Sequence, residues 1–257
     1  MKKSRFYQYF VLLSFVTGAV SSQEYTTLVW EEQFEGKTLD HNSWSFELGD
    51  GCPSLCGWGN NERQIYTKVN HKLKNGYLII TAKKEDSIYT STRIVTKNKK
   101  TFQYGRIEIK AKLPAGKGLW PAFWMLGSNI DKVKWPACGE IDVLEYVGKE
   151  PHTVFTSLHT TSSHGNTVNS KKTCIPDIEK GFHVYEALWT PERITFLIDR
   201  KKVYEYAPEN KTPDNWPFNQ PFYFIINLAI GGNFGGPYVD NTIFPQNFVV
   251  DYIRVYQ

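Results

Sequence analysis

Glu140, Asp142 and Glu145 fall within one largely apolar run, Ala137-Cys138-Gly139-Glu140-Ile141-Asp142-Val143-Leu144-Glu145-Tyr146-Val147. A run of this kind reads as a β-strand. Side chains alternate faces along a strand, so Glu140 and Asp142 share one face while Ile141 and Val143 take the other. Strict alternation sends Glu145 to the apolar face, where an unpaired charge is costly. One extra residue near Val143 or Leu144, a β-bulge, returns it to the carboxylate face. Carboxylates crowded on one strand repel one another and raise at least one pKa, which is what a general acid needs. The solvated face of an edge strand would carry similar residues. Here, however, Trp120, Trp124 and Trp135 stand just upstream, and His159 follows on the next expected strand. Rings stack on the apolar faces of sugars and carboxyl pairs cleave glycosidic bonds, so the combination points to saccharide chemistry.

The elements that must hold these residues are short. Strand-like runs punctuated by Gly, Pro, Asn and Asp extend over 28–34, 78–83, 106–112, 122–126, 140–146, 154–159, 183–189, 194–198, 222–228 and 249–256. No long amphipathic helix interrupts them. Arg106-Ile107-Glu108-Ile109-Lys110-Ala111-Lys112-Leu113 alternates cleanly, as a half-buried strand of an antiparallel sheet does. Pattern alone gives an all-β sandwich or barrel.

At this point the chain resembles glycoside hydrolase family 16, and within it the laminarinase-like endo-β-1,3-glucanases. The resemblance rests on Gly57-Trp58-Gly59-Asn60-Asn61-Glu62, Tyr104-Gly105-Arg106-Ile107-Glu108, Leu119-Trp120-Pro121-Ala122-Phe123-Trp124-Met125-Leu126, Trp135-Pro136, Gly139-Glu140-Ile141-Asp142, Ile226-Asn227-Leu228-Ala229-Ile230-Gly231-Gly232 and Val250-Asp251-Tyr252-Ile253-Arg254-Val255-Tyr256, in that order. It implies a β-jelly roll sandwich of two antiparallel sheets with a concave substrate cleft. It also implies a retaining mechanism, with Glu140 as nucleophile, Glu145 as general acid and base, and Asp142 between them tuning both. Trp120 and Trp135 are expected to line the cleft, and Trp124 either lines it or packs in the core. Asn60, Glu62 and Arg106 match polar cleft positions, and His159 matches a histidine near the acid. Arg63 stands where many relatives carry Leu. The family needs no catalytic cofactor, but many members hold one structural calcium ion through two backbone carbonyls and an Asp, here Gln33, Gly76 and Asp251.

Residues 1–22 read as an export signal, because Lys2, Lys3 and Arg5 precede an apolar run from Phe10 to Val20 that ends in small residues. Residues 23–257 then form the catalytic domain, secreted or periplasmic. The run is too short for a membrane span. Those three basic residues account for three of the four net positive charges, so the charge gives no reason to expect nucleic acid or membrane partners. The expected partner is a polysaccharide and the expected state a monomer. Cys52, Cys56, Cys138 and Cys174 form an even set, as export favours. Cys52 with Cys56 would close a tight loop and Cys138 with Cys174 would tie the carboxylate strand to a later loop, while Cys138 could equally be a buried free thiol.

Two other readings compete with a β-1,3-glucanase. The same chemistry could act on a marine galactan such as agarose or porphyran, although such substrates favour a strongly basic cleft. The fold also serves β-glucan binding lectins once the glutamates are lost, whereas here all three carboxylates remain.

Overall fold

Phe222, Phe224, Ile226, Leu228 and Ile230 alternate with Tyr223, Ile225, Asn227 and Ala229 along one nine-residue strand, and all nine are buried. The first set enters the main core; Tyr223, Ile225 and Ala229 pack into smaller clusters on the opposite face. A strand buried on both faces lies in the middle of a covered sheet.

The structure, a computed structural model, describes residues 25–257, so the expected export signal lies outside the described residues. In chain order the strands are β1 Leu28–Glu32, β2 Ser45–Glu47, β3 Gln64–Tyr66, β4 His71–Lys74, β5 Tyr77–Glu85, β6 Ile88–Ser91, β7 Arg93–Val95, β8 Gly105–Lys112, β9 Leu119–Gly127, β10 Glu140–Tyr146, β11 Thr153–His159, β12 Ser170–Cys174, β13 His183–Trp189, β14 Ile194–Ile198, β15 Lys201–Tyr206, β16 Phe222–Ile230 and β17 Gln246–Tyr256. Two four-residue helices, α1 Ile130–Val133 and α2 Gly232–Gly235, sit in connections.

The strands form a β-jelly roll sandwich. One sheet runs β12-β11-β10-β9-β16-β7-β2 and carries the cleft. The other, the outer sheet, runs β15-β14-β13-β8-β17-β5-β6-β3, with β1 on β17 and β4 on β5. Pairing is antiparallel except between β3 and β6, which run parallel. Between the sheets lies one core drawn from both, including Ile107, Ile109, Phe123, Ile141, Phe196, Phe224 and Ile253. The expected runs all appear as strands, but β2, β3, β4, β6, β7, β12 and β15 were not expected. They are short, and most are polar enough to lack a periodic apolar signal.

Cys52 and Cys56 form a disulfide, while Cys138 is a buried free thiol and Cys174 an exposed one. The pairing of Cys138 with Cys174 is therefore absent. Cys138 packs with Leu126 and Tyr223 in the small cluster behind β9 and β16, whereas Cys174 ends β12 at the sheet's edge.

Candidate active site

The bulge is present on β10. Against β9, Asp142 pairs with Trp124 and Leu144 with Phe123, so Val143 is the extra residue; against β11 the register slips between Asp142 and Glu145. Val143 and Leu144 both lie fully buried in the main core. Two consecutive apolar side chains turned inward return Glu145 to the face of Glu140 and Asp142, and all three carboxylates line the cleft with Asn60, Glu62, Trp120 and Trp124.

Each carboxylate has a different environment. Trp135, in the connection after α1, is about half exposed and donates its indole N–H to Oε2 of Glu140 at 2.6 Å. His159 pairs across the sheet with Glu140, and its Nε2 stands 3.1 Å from Oδ2 of Asp142. Burial pushes the Asp142 carboxyl well above the ordinary range, and the charge of Glu140 and a hydrogen bond between the two add to this. Glu145 is also pushed well up, by burial first and then by the charge of Asp142; His159 and the indole N–H of Trp120, which donates to Oε1 at 3.1 Å, oppose the shift. A buried carboxyl that keeps its proton beside a partly open carboxylate on one face is the pairing that protonates a leaving oxygen while the second group attacks.

A second polar group extends the cleft floor. Buried Glu62 accepts from Gln64 Nε2 at 2.6 Å, Tyr66 Oη at 3.0 Å and Asn60 Nδ2 at 3.4 Å. Burial raises its pKa against the nearby positive charge of Arg93. The Arg93 guanidinium lies between the rings of Trp58 and Trp124, 4.4 and 4.9 Å from their centroids, and pairs with Glu47 at 2.5 Å. Trp124 donates to Oδ1 of Asn227 at 2.7 Å, and Asn227 donates to Tyr66 Oη at 3.0 Å. Trp124 thus belongs to the cleft rather than to the core between the sheets.

Arg106 is a correction. It lies on β8 of the outer sheet, its guanidinium 4.0 Å from the Tyr256 ring centroid. Ile107, Ile109 and Ala111 take the core side of β8, which leaves Arg106 to the sandwich's outer surface. Sequence reasoning missed Arg93 and Asn227. Arg93 sits on a three-residue strand that carries no pattern, but Asn227 was visible as the lone amide in a nine-residue apolar run.

The expected calcium residues lie on the outer sheet. The position of a Cβ on Gly76 falls 3.9 Å from the carbonyl oxygen of Gln33, and β17 carries Asp251 past the start of β5. Carbonyls and a carboxylate are donors that calcium accepts, and a bound ion there would tie β1, β17 and the β4–β5 turn together, away from the cleft. Lys110 pairs with this carboxylate, its Nζ 2.8 Å from Oδ2 of Asp251. Among the described residues, the acidic and histidine groups close enough to hold a metal are Glu140, Asp142 and His159, whose donor atoms lie within 4.8 Å of one another. These belong to the cleft.

A cleft floored by paired carboxylates and walled by indoles, on one sheet of a jelly roll, defines a glycan-cleaving hydrolase. Residues 59–252 match the model of glycosyl hydrolases family 16, and the chain belongs to that family. A β-glucanase of Rhodothermus marinus is 40% identical, over 90% of this chain and 85% of its own length. A glucan endo-1,3-β-glucosidase A1 of Niallia circulans is 35% identical over 90% of this chain, which spans only 38% of that relative. The crystal structure of a laminarinase from Flavobacterium sp. UMI-01 superposes with a TM-score of 0.89 at 68% identity, covering 90% of this chain and all of that one (100%).

Proposed function

We propose that the chain is a secreted, endo-acting, retaining hydrolase of β-1,3-glucan of the laminarin type, with mixed β-1,3-1,4-glucan as a secondary substrate. The observation that carries the chemistry is the bulged β10, which sets Glu140 and Glu145 on one face in unlike environments. In the first step the Glu140 carboxylate attacks the anomeric carbon as Glu145 gives its proton to the departing oxygen. In the second, Glu145 takes a proton from water, which displaces Glu140. Asp142, hydrogen-bonded to Glu140 and close to His159, adds its charge to the burial that raises the Glu145 pKa. The relatives support this linkage: a glucan endo-1,3-β-glucosidase A1 and a laminarinase are 35% and 68% identical to this chain.

Incubation with laminarin, mixed-linkage glucan and agarose, followed by a reducing-end assay and product sizing, tests this reading. The expected result is rapid release of oligosaccharides of several lengths from laminarin and slower release from the mixed-linkage polymer. Exclusive cleavage of agarose, or binding without release, overturns it.

A further inference from the structure

Glu145 and Tyr146 are consecutive on β10 but face opposite ways. Glu145 lines the cleft, and Tyr146 points between the sheets towards a depression of about 480 Å³ at the end of the sandwich. That volume lies within the range of small-ligand sites, roughly 300–1,000 Å³. No lining residue is shared with the cleft. The walls are the connections β8–β9, β10–β11, β12–β13 and β16–β17, which contribute Lys117, His152, Glu179 and Tyr238 among others.

Three features bear on what it holds. The first is a fixed acceptor: Glu179 receives the Tyr146 hydroxyl at 2.9 Å and the His152 amide at 2.8 Å on Oε1, with Nδ1 of His152 3.1 Å from Oε2. Burial works against its ionisation, yet these hydrogen bonds hold its carboxyl below the usual range. The second is an exposed ring. Tyr238 is 65% accessible, although a large aromatic side chain more often buries most of its surface. The third is charge balance, since Lys117 and Lys180 face Glu179 and Asp240. Lys180 is already paired with Asp177 at 2.8 Å, and the carboxylates oppose an anion. A ring to stack on, fixed carboxylates to accept hydroxyl hydrogens and no excess of positive charge suit a neutral polyhydroxylated ligand.

We propose that this depression is a second saccharide-binding site that takes a stretch of glucan outside the cleft. The proposal rests on the substrate reading above. Tethering raises the effective concentration of further chain at the cleft, a benefit that long polymers receive and short oligosaccharides do not.

The test is electrophoresis through native gels cast with the glycan that the native chain is found to cut. Glu140→Ala, which cannot hydrolyse the gel, is compared with Glu140→Ala/Tyr238→Ala and Glu140→Ala/Tyr238→Phe. Loss of the ring should weaken affinity about threefold or more, and the Phe variant should keep it. In the otherwise native chain, Tyr238→Ala should leave kcat/KM on a short oligosaccharide unchanged while raising KM on polymer. Equal mobility of the first two variants, retarded or not, overturns the second site. Failure of the substrate reading shows separately, as a native chain that leaves laminarin intact and cuts another glycan.

Discussion

The indole N–H of Trp135 donates to Oε2 of Glu140 at 2.6 Å, so the ring expected to serve as a sugar platform also holds the carboxylate proposed as nucleophile. Phe at this position keeps an aromatic face and removes the donor. A hydrogen bond to a charged group contributes about 1.5–3 kcal/mol, so Trp135→Phe should lower kcat roughly tenfold or more with little change in KM. Trp135→Ala also loses the stacking surface and should raise KM as well. Steady-state kinetics on laminarin separate the two, and native kcat in the Phe variant would show that the N–H does not position Glu140.

Glu145 titrates well above an ordinary carboxyl, through burial first and then the charge of Asp142. In the folded state it keeps a proton that the unfolded chain releases near pH 4.3. Its contribution to stability is therefore fully present below that pH and lost as pH rises through the folded value. Glu145→Gln removes the titration. The Tm of the native chain should fall relative to this variant from about pH 4.3 upward, and the gap should shrink in more acid solution. The alkaline limb of kcat/KM should follow the same proton. Parallel Tm curves across the range would contradict the assignment.

Truncation of Glu140 to Ala opens space for a small anion while Glu145 remains in place. Azide should restore cleavage of an activated substrate by Glu140→Ala and give a glycosyl azide of inverted configuration, detectable by proton NMR. Rescue of Glu145→Ala with an inverted product, and none of Glu140→Ala, would exchange the two roles.

Val143 and Leu144 are buried together, so the bulge is fixed by the core rather than by the sugar face. Deleting Leu144 leaves Glu140-Ile141-Asp142-Val143-Glu in regular alternation, with all three carboxylates still in the cleft. That chain should fold and keep part of its activity, at a cost of about 2–5 kcal/mol for the lost core side chain. An Ala inserted after Leu144 demands a second bulged residue or turns the acid inward, and should abolish activity. Denaturant midpoints and laminarin assays decide; an active insertion beside an inactive deletion would mean that the bulge does not place Glu145.

Lys110 pairs with Asp251, the carboxylate that a calcium ion held by Gln33 and Gly76 would need. Calcium should therefore raise the Tm of Lys110→Ala more than that of the native chain, by the stabilisation that any ligand of the folded state confers. Equal shifts in thermal scans with and without chelator would remove Lys110 as a competitor.

Much of the site was legible because its signals are local. The spacing of Glu140, Asp142 and Glu145 demanded a bulge, and β10 has one with Val143 as the extra residue. Arg106 was expected in the cleft from the family resemblance; alternation on β8 separated it from Ile107 but says which residues share a face, not which sheet they belong to. The stack of Trp58, Arg93 and Trp124 joins three distant segments, and nothing in any one of them announces the other two. Trp120 was expected as a platform, yet it is nearly buried and donates to Glu145, a distinction that depends on packing rather than residue type.

Strand β17, the last in sequence order, lies inside the outer sheet, between β8 and β5, with β1 also paired to it. The sheet cannot close until those residues have been synthesised. Halves of the outer sheet made earlier lack their central partner, and contacts between remote segments form slowly. Until β17 has been made, β8 and β5 have no strand to join them, so the two halves of the outer sheet depend on it for their connection.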